Sequence, residues 1–136
     1  MPNGATIAGV YTNNLVVAAP VVLSRSAQHG GRINALVVNS GNANACTGTT
    51  GDADALEMVT QVSKALDVPL EKVQLCSTGV IGQHLPMDAV RNGIAAAVAH
   101  LDAGGGAHFA EAIRTTDLYR KVVRTTVTIG HRDYCI

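Results

Sequence analysis

Leu75-Cys76-Ser77-Thr78-Gly79-Val80-Ile81-Gly82 is the stretch on which the reading of the fold turns. An apolar run stops at a pair of small hydroxyl residues, bends on glycine and gives way to a helical pattern. A strand that ends in Ser-Thr-Gly leaves backbone N–H groups and a hydroxyl aimed at one spot, with no bulky side chain over them. An oxyanion or a phosphate needs such a set of donors. The same eight residues also describe an ordinary strand-to-helix turn, and taken alone they leave both readings open.

Upstream, residues 33–38 read as a buried strand that runs into a second bend, Asn39-Ser40-Gly41-Asn42-Ala43-Asn44-Ala45-Cys46-Thr47-Gly48. Three asparagines, two glycines and two hydroxyl residues in ten positions exceed what a turn requires. Asn and Gly tolerate positive φ, and Asn side chains tie down loops, so a fixed polar cavity wall and a purely structural Asx-rich loop both fit. Cys46 is a weak candidate nucleophile, because no histidine lies near it in sequence to activate it. The two glycine-rich bends are expected to converge on one site.

Outward from these bends, residues 51–66 carry Leu56, Val59, Val62 (or Ser63) and Leu66 at helical spacing, with Asp52 and Asp54 at the positive end. Residues 67–72 form a turn in which Pro69 starts a fresh helical turn, and residues 73–76 are the strand that delivers Ser77-Thr78-Gly79. Pro86 opens a second amphipathic helix with Met87, Val90, Ile94, Val98 and Leu101 on one face, and His84 before it reads as a surface residue. Residues 109–113 make a short helical turn, broken at Thr115-Thr116-Asp117. Toward the ends the pattern is less regular. Residues 5–11 alternate weakly. Residues 15–23 are β-branched and read as a buried strand, with Pro20 at an edge or bulge, and residues 24–32 read as a loop. Residues 121–129 read as a half-exposed strand, and nothing from Gly130 onward carries an apolar period. The strand–loop–helix rhythm predicts an α/β fold, a layered sheet-and-helix arrangement in a single domain over residues 1–136.

Composition narrows the function. In 136 residues, 47% are hydrophobic and 15% charged, with zero formal net charge, one Phe, three Tyr and no Trp. Neither a basic footprint nor stacking platforms are present, so nucleic acid is not an expected partner. No apolar run reaches the length of a membrane span and no leader opens the chain, so a cytoplasmic protein is expected. Cys46, Cys76 and Cys135 have no metal spacing; reduced thiols and no metal are the expectation. GxGxxG, GxxxxGK[ST] and GxSxG are all missing.

The motifs Val37-Val38-Asn39-Ser40-Gly41-Asn42-Ala43-Asn44-Ala45-Cys46-Thr47-Gly48, Cys76-Ser77-Thr78-Gly79-Val80-Ile81-Gly82 with Leu85-Pro86-Met87, and Ala112-Ile113 with Thr115-Thr116-Asp117 resemble the bifunctional ornithine acetyltransferase / glutamate N-acetyltransferase family of arginine biosynthesis. Tyr11-Thr12, Asn14 and Ala18-Ala19-Pro20-Val21 match as well, so the resemblance runs through residues 5–130. It implies a domain of the ornithine acetyltransferase type and a precursor that cuts itself before a threonine. That threonine becomes the N-terminal nucleophile of a β chain. It accepts an acetyl group from N-acetylornithine, or in some members acetyl-CoA, and passes it to glutamate. The resemblance makes Thr78 and Gly79 the oxyanion hole and Thr115 a substrate contact, with Thr116 and Asp117 completing that wall. It implies no cofactor, and a β-chain partner in a hetero-oligomer.

The chain departs from the family in places. The Lys-Gly-rich segment leading to an Ala-Thr cleavage point is not found, residues 131–136 form an unmatched tail, and the family's opening residues are missing. An incomplete domain, a truncated or frame-shifted α-chain portion that is inactive alone, is therefore expected. Arg114 stands where the family usually has methionine, and Leu15 and Val17 replace residues that are often cationic. The competing expectation is a non-catalytic small-ligand binding or assembly module that keeps these loops for structure. An N-terminal-nucleophile aminopeptidase of related architecture is disfavoured by the Asn-Ser-Gly-Asn-Ala-Asn motif.

Overall fold

Two parallel strands form the spine of the computed structural model, which describes residues 4–27 and 30–136. Strand β3 (Ala35–Asn42) lies beside β4 (Val73–Val80), in register from Ala35 opposite Val73 to Asn42 opposite Val80. Parallel neighbours need a long crossover. Here it is helix α2 (Gly48–Leu66) followed by a 3₁₀ turn (Leu70–Lys72). Asp67 ends α2 in the left-handed conformation at φ 50°, and the Val68 N–H returns to the Ser63 carbonyl while the Ser63 hydroxyl donates to that of Val68.

Helix α2 presents Ala55, Met58, Val59 and Val62 to the sheet, and helix α3 (Met87–Ala99) adds Ile94, with Met87, Val90 and Val98 packed at the margin. Ala35, Val73 and Leu75 complete the core from the strands. Each large aliphatic side chain removed from water there contributes about 1.5–3 kcal/mol. Two residues expected on the buried faces lie outside: Leu56 is 48% and Leu101 68% exposed. On α2, the smaller Ala55 and the flexible Met58 turn inward instead of Leu56.

The largest correction concerns residues 15–23. They do not form a strand: helix α1 (Ala19–Ala27) starts inside this run, and Leu15 before it is fully exposed. Pro20 stands in the first helical turn, where its missing N–H has no intrahelical partner to lose, and the N–H groups of Val21 and Val22 both reach the Ala18 carbonyl. The expected loop over residues 24–32 is in part this helix; positions 28 and 29 lie outside the described residues.

Helix α1 is fastened to the free edge of β4 at Ser24. The Ser24 hydroxyl donates to the Leu75 carbonyl at 2.5 Å and accepts from the Leu75 N–H at 3.1 Å, so it substitutes for a neighbouring strand at that residue. The Ser24 carbonyl also accepts from the Gln74 side chain at 3.0 Å.

Smaller elements complete the chain. Strands β1 (Ala5–Thr6) and β2 (Arg32–Ile33) pair antiparallel, so only two residues of the 5–11 stretch are strand. Helix α4 (Gly106–Ala112) occupies the expected short helical turn. Strand β5 (Thr126–Ile129) pairs antiparallel with β6 (Arg132–Cys135), which corrects the expectation that nothing follows Gly130. Gly130, at φ 63°, supplies the left-handed residue a tight hairpin needs, and the polar Arg132 and Asp133 hide the strand from any search for apolar period.

Candidate functional site

The second glycine-rich bend is less of a loop than its composition suggests. Strand β3 continues through Asn39-Ser40-Gly41-Asn42, and β4 through Ser77-Thr78-Gly79-Val80, so the two motifs lie side by side. Asn39 is opposite Ser77, Ser40 opposite Thr78 and Gly41 opposite Gly79; Asn42 is one step from Gly79. The zipper extends past the strands, with the Ala43 N–H on the Val80 carbonyl and the Gly82 N–H on that of Ala45, both at 2.9 Å.

The asparagines then bind the bend internally. Asn39 Nδ2 donates to the Asn42 carbonyl at 2.8 Å, and buried Asn44 donates to the Gly51 carbonyl at 2.8 Å while accepting from Thr47 Oγ1 at 2.7 Å. Asn44 and Cys46 adopt φ of 48° and 58°, the left-handed region that Asn enters more readily than most residues. Asn42 Nδ2 reaches toward the His84 carbonyl at 3.4 Å, and His84 itself is exposed.

Gly79 is required by contact as well as by its φ of +132°. A Cβ there would overlap the Gly41 carbonyl group and come within 2.7 Å of the Asn42 nitrogen. The absence of a side chain is what lets the two strands keep their register at the bend.

The direction of the backbone groups follows from Ser24. Successive strand residues point their N–H and C=O to opposite edges, and both groups of Leu75 face the free edge where Ser24 binds them. Ser77 and Gly79 share that edge by the same alternation. Thr78 and Val80 face β3, as the Ala43–Val80 bond requires. Gly79 therefore has an N–H outside the β3–β4 ladder, and Thr78 has its hydroxyl on an exposed residue. These are two donors of different kinds on neighbouring residues.

The segment that precedes Thr115 is tied to this end by Ser40. The Ser40 hydroxyl donates to the Ala112 carbonyl at 2.7 Å, which ties the last residue of α4 to the strand residue opposite Thr78. Thr115 is three residues further on and exposed. Asp117, beside it, pairs with Lys121 at 2.5 Å. The role of Ser40 was hidden in the sequence, because its partner is 72 residues away.

Three side-chain atoms are buried without a partner among the described residues: Asn39 Oδ1 and Ser77 Oγ, at facing positions of the two strands, and Arg114 Nε, two residues beyond Ala112. Cys76 is exposed as a residue, yet partial desolvation pushes the pKa of its thiol up, which favours the neutral, poorly nucleophilic form. All three cysteines are unbridged. Among the described residues no three His, Cys, Asp or Glu side chains gather to hold a metal. A shallow hollow on the outer flank of α2, between Leu56 and Lys64, contains none of these residues.

The ArgJ family model matches residues 1–136, the whole chain. The chain belongs to the ArgJ family. It is 54% identical over 123 residues to the arginine biosynthesis bifunctional protein ArgJ of Symbiobacterium thermophilum, covering 90% of this chain and 31% of that protein. The ArgJ of Geobacter sulfurreducens is 46% identical over 132 residues, covering 97% of this chain and 34% of its own. The chain thus spans about a third of the length of these curated relatives.

Solved structures agree on the fold. The crystal structure of ArgJ from Bacillus halodurans superposes with a TM-score of 0.80 at 36% identity, over 98% of this chain and 70% of that one. The ornithine acetyltransferase of Mycobacterium tuberculosis, crystallised in complex with ornithine, gives the same score at 41% identity, over 89% of this chain and 64% of its own. The α/β arrangement of the ArgJ and ornithine acetyltransferase structures is therefore the arrangement found here, and the chain spans about two thirds of those solved chains.

Proposed function

We propose that these residues form the oxyanion hole and part of the substrate wall of an acetyltransferase that moves an acetyl group from N-acetylornithine to glutamate, with a threonine nucleophile supplied by a segment other than these 136 residues. The observation that carries the reading is the pairing of Ser40-Gly41-Asn42 with Thr78-Gly79-Val80, which leaves the Gly79 N–H outside the ladder and the Thr78 hydroxyl beside it. A tetrahedral acyl intermediate carries its negative charge on one oxygen. Two preorganised donors on adjacent residues stabilise that oxygen without having to reorganise.

In this reading the threonine attacks the acetyl carbonyl of N-acetylornithine. Its hydroxyl proton passes to a base, and the oxygen of the tetrahedral adduct rests between Thr78 Oγ1 and the Gly79 N–H. Collapse releases ornithine, which takes up a proton, and leaves an acetyl-threonine ester. Glutamate's amine then reverses the sequence. Thr115, on the segment Ser40 anchors, lies along the substrate.

A difference in coverage supports a nucleophile on a second chain. The same residues make up 70% of the solved Bacillus halodurans chain but only about a third of the curated relatives, as expected if a longer precursor is divided in two.

Mixing this chain with the downstream part of the Symbiobacterium thermophilum relative tests the reading. Acetyl transfer from N-acetylornithine to glutamate should arise in the mixture and not in either part. Thr78→Ala should lower the restored rate about 10²- to 10³-fold. An unchanged rate in that variant, or full transfer by this chain alone, overturns the assignment.

A further inference from the structure

The segment that carries Thr115 is unevenly charged. Between Glu111 and Lys121 stand three cations, Arg114, Arg120 and Lys121, against two anions, Glu111 and Asp117. Asp117 is taken by Lys121. Glu111 is shared: Arg114 Nη1 lies 2.9 Å from one of its oxygens, and Arg120 Nε is 3.8 Å from the other.

Arg114 is the inner member of this group. Its side chain is 31% exposed, its Nε is buried without an acceptor, and Glu111 engages only its Nη1. It stands between Ala112, whose carbonyl Ser40 holds, and Thr115. Arg120, more exposed, lines an open hollow with Gly106, Ala107 and Val122. A guanidinium that has lost part of its hydration and is not fully paired attracts a carboxylate more strongly than a solvated lysine would, and its planar fork matches the carboxylate geometry. The same charge repels an ammonium group.

We infer that Arg114 is a specificity-determining residue that biases the acyl-transfer site toward amino acids with an anionic side chain and against those with a cationic one. The inference rests on the acetyltransferase reading and names which half of the exchange this chain favours: the acidic acceptor and its N-acetyl product, over the basic donor. Arg114 is a positioning group for the ligand's distal carboxylate and takes no part in the bond changes.

Titration of the chain with N-acetylglutamate and with N-acetylornithine, followed by NMR chemical shifts at low salt, tests it. The wild type should bind N-acetylglutamate about tenfold more tightly, the size of one charge-assisted contact. Arg114→Met should abolish that ratio by weakening N-acetylglutamate and strengthening N-acetylornithine. Arg114→Lys, which keeps the charge without the fork, should retain part of it. Glu111→Gln leaves Arg114 in place and removes its counter-charge, so the ratio should rise. Amide spectra of the variants report whether each is folded, and the Glu111→Gln result stands even if Arg114→Met is not. A ratio unmoved by Arg114→Met, or lowered by Glu111→Gln, overturns the inference while leaving the acetyltransferase reading intact. Binding of neither ligand by the wild type would count against the substrate wall itself, and with it both readings.

Discussion

The two faces of the β3–β4 pair differ sharply. Ala35, Val73 and Leu75 on one face are at most 8% exposed and packed under α2 and α3. On the other, Leu36 and Val80 are about half exposed and Cys76, Thr78 and Ser40 lie open, with only Gln74 buried. Parallel strands are normally covered on both sides. The covered face supplies the folding energy. The other carries the Thr78 hydroxyl and the Ser40 anchor, while the Gly79 N–H lies along the strand edge between the two faces.

Substitutions on the two faces break this comparison if it is wrong. Leu75→Ala removes a 1% exposed side chain from the middle of the core and should cost about 3–4 kcal/mol in urea unfolding. Leu36→Ala, on the next strand but the opposite face, should cost less than about 1 kcal/mol. Equal losses would mean that the open face is also packed in solution, as it would be in a self-associated chain, and light scattering would then show a species larger than the monomer.

The glycines of the site sharpen the comparison one level down. Gly79→Ala places a methyl group against the Gly41 carbonyl at a φ of +132°, and should cost about 2–4 kcal/mol while disrupting the register that sets the two donors. Gly82→Ala meets no atom within 4 Å and is penalised by its φ of +79° alone, at about 1 kcal/mol. Similar losses in the two variants would show that backbone conformation, and not the contact with Gly41, dictates glycine at position 79.

Much of this was readable in the chain, and what was not has a common cause. Helices α2 and α3 and strands β3 and β4 announce themselves through apolar spacing, and Ser77-Thr78-Gly79 through its small residues. The stretch over residues 15–23 misleads because a β-branched run looks the same before a strand and before a helix whose first turn accepts Pro20. Strand β5 shows its Thr-Val-Thr-Ile alternation in the sequence, but its partner β6, Arg132-Asp133-Tyr134-Cys135, carries none, and all eight residues of the hairpin strands are exposed. The site's geometry depends on two hydroxyl contacts, Ser24 with Leu75 and Ser40 with Ala112, which span 51 and 72 residues. Local pattern identifies the donors at Thr78 and Gly79, but only these long-range bonds establish which edge of the strand is free and what stands beside it.

The smallest expected effect lies where the covered face meets solvent. Arg91 on α3 binds Glu57 on α2 through two nitrogens, Nε at 2.6 Å and Nη2 at 3.0 Å, and also reaches Asp88 at 2.8 Å. The Arg91 hydrogen bond holds the Glu57 carboxyl below its ordinary range, opposed by partial desolvation. A carboxyl whose pKa is lower folded than unfolded stabilises the protein above its unfolded pKa, and that contribution disappears as pH falls through the folded value. Both side chains are more than a third exposed, so solvent and salt screen the pair and its contribution is minor. Glu57→Gln should therefore unfold at slightly lower urea than the wild type at pH 7, and the gap should shrink as pH falls through and below the ordinary carboxylate range. A gap that does not shrink on acidification would mean that Glu57 joins the two helices through packing or neutral hydrogen bonds and not through its charge.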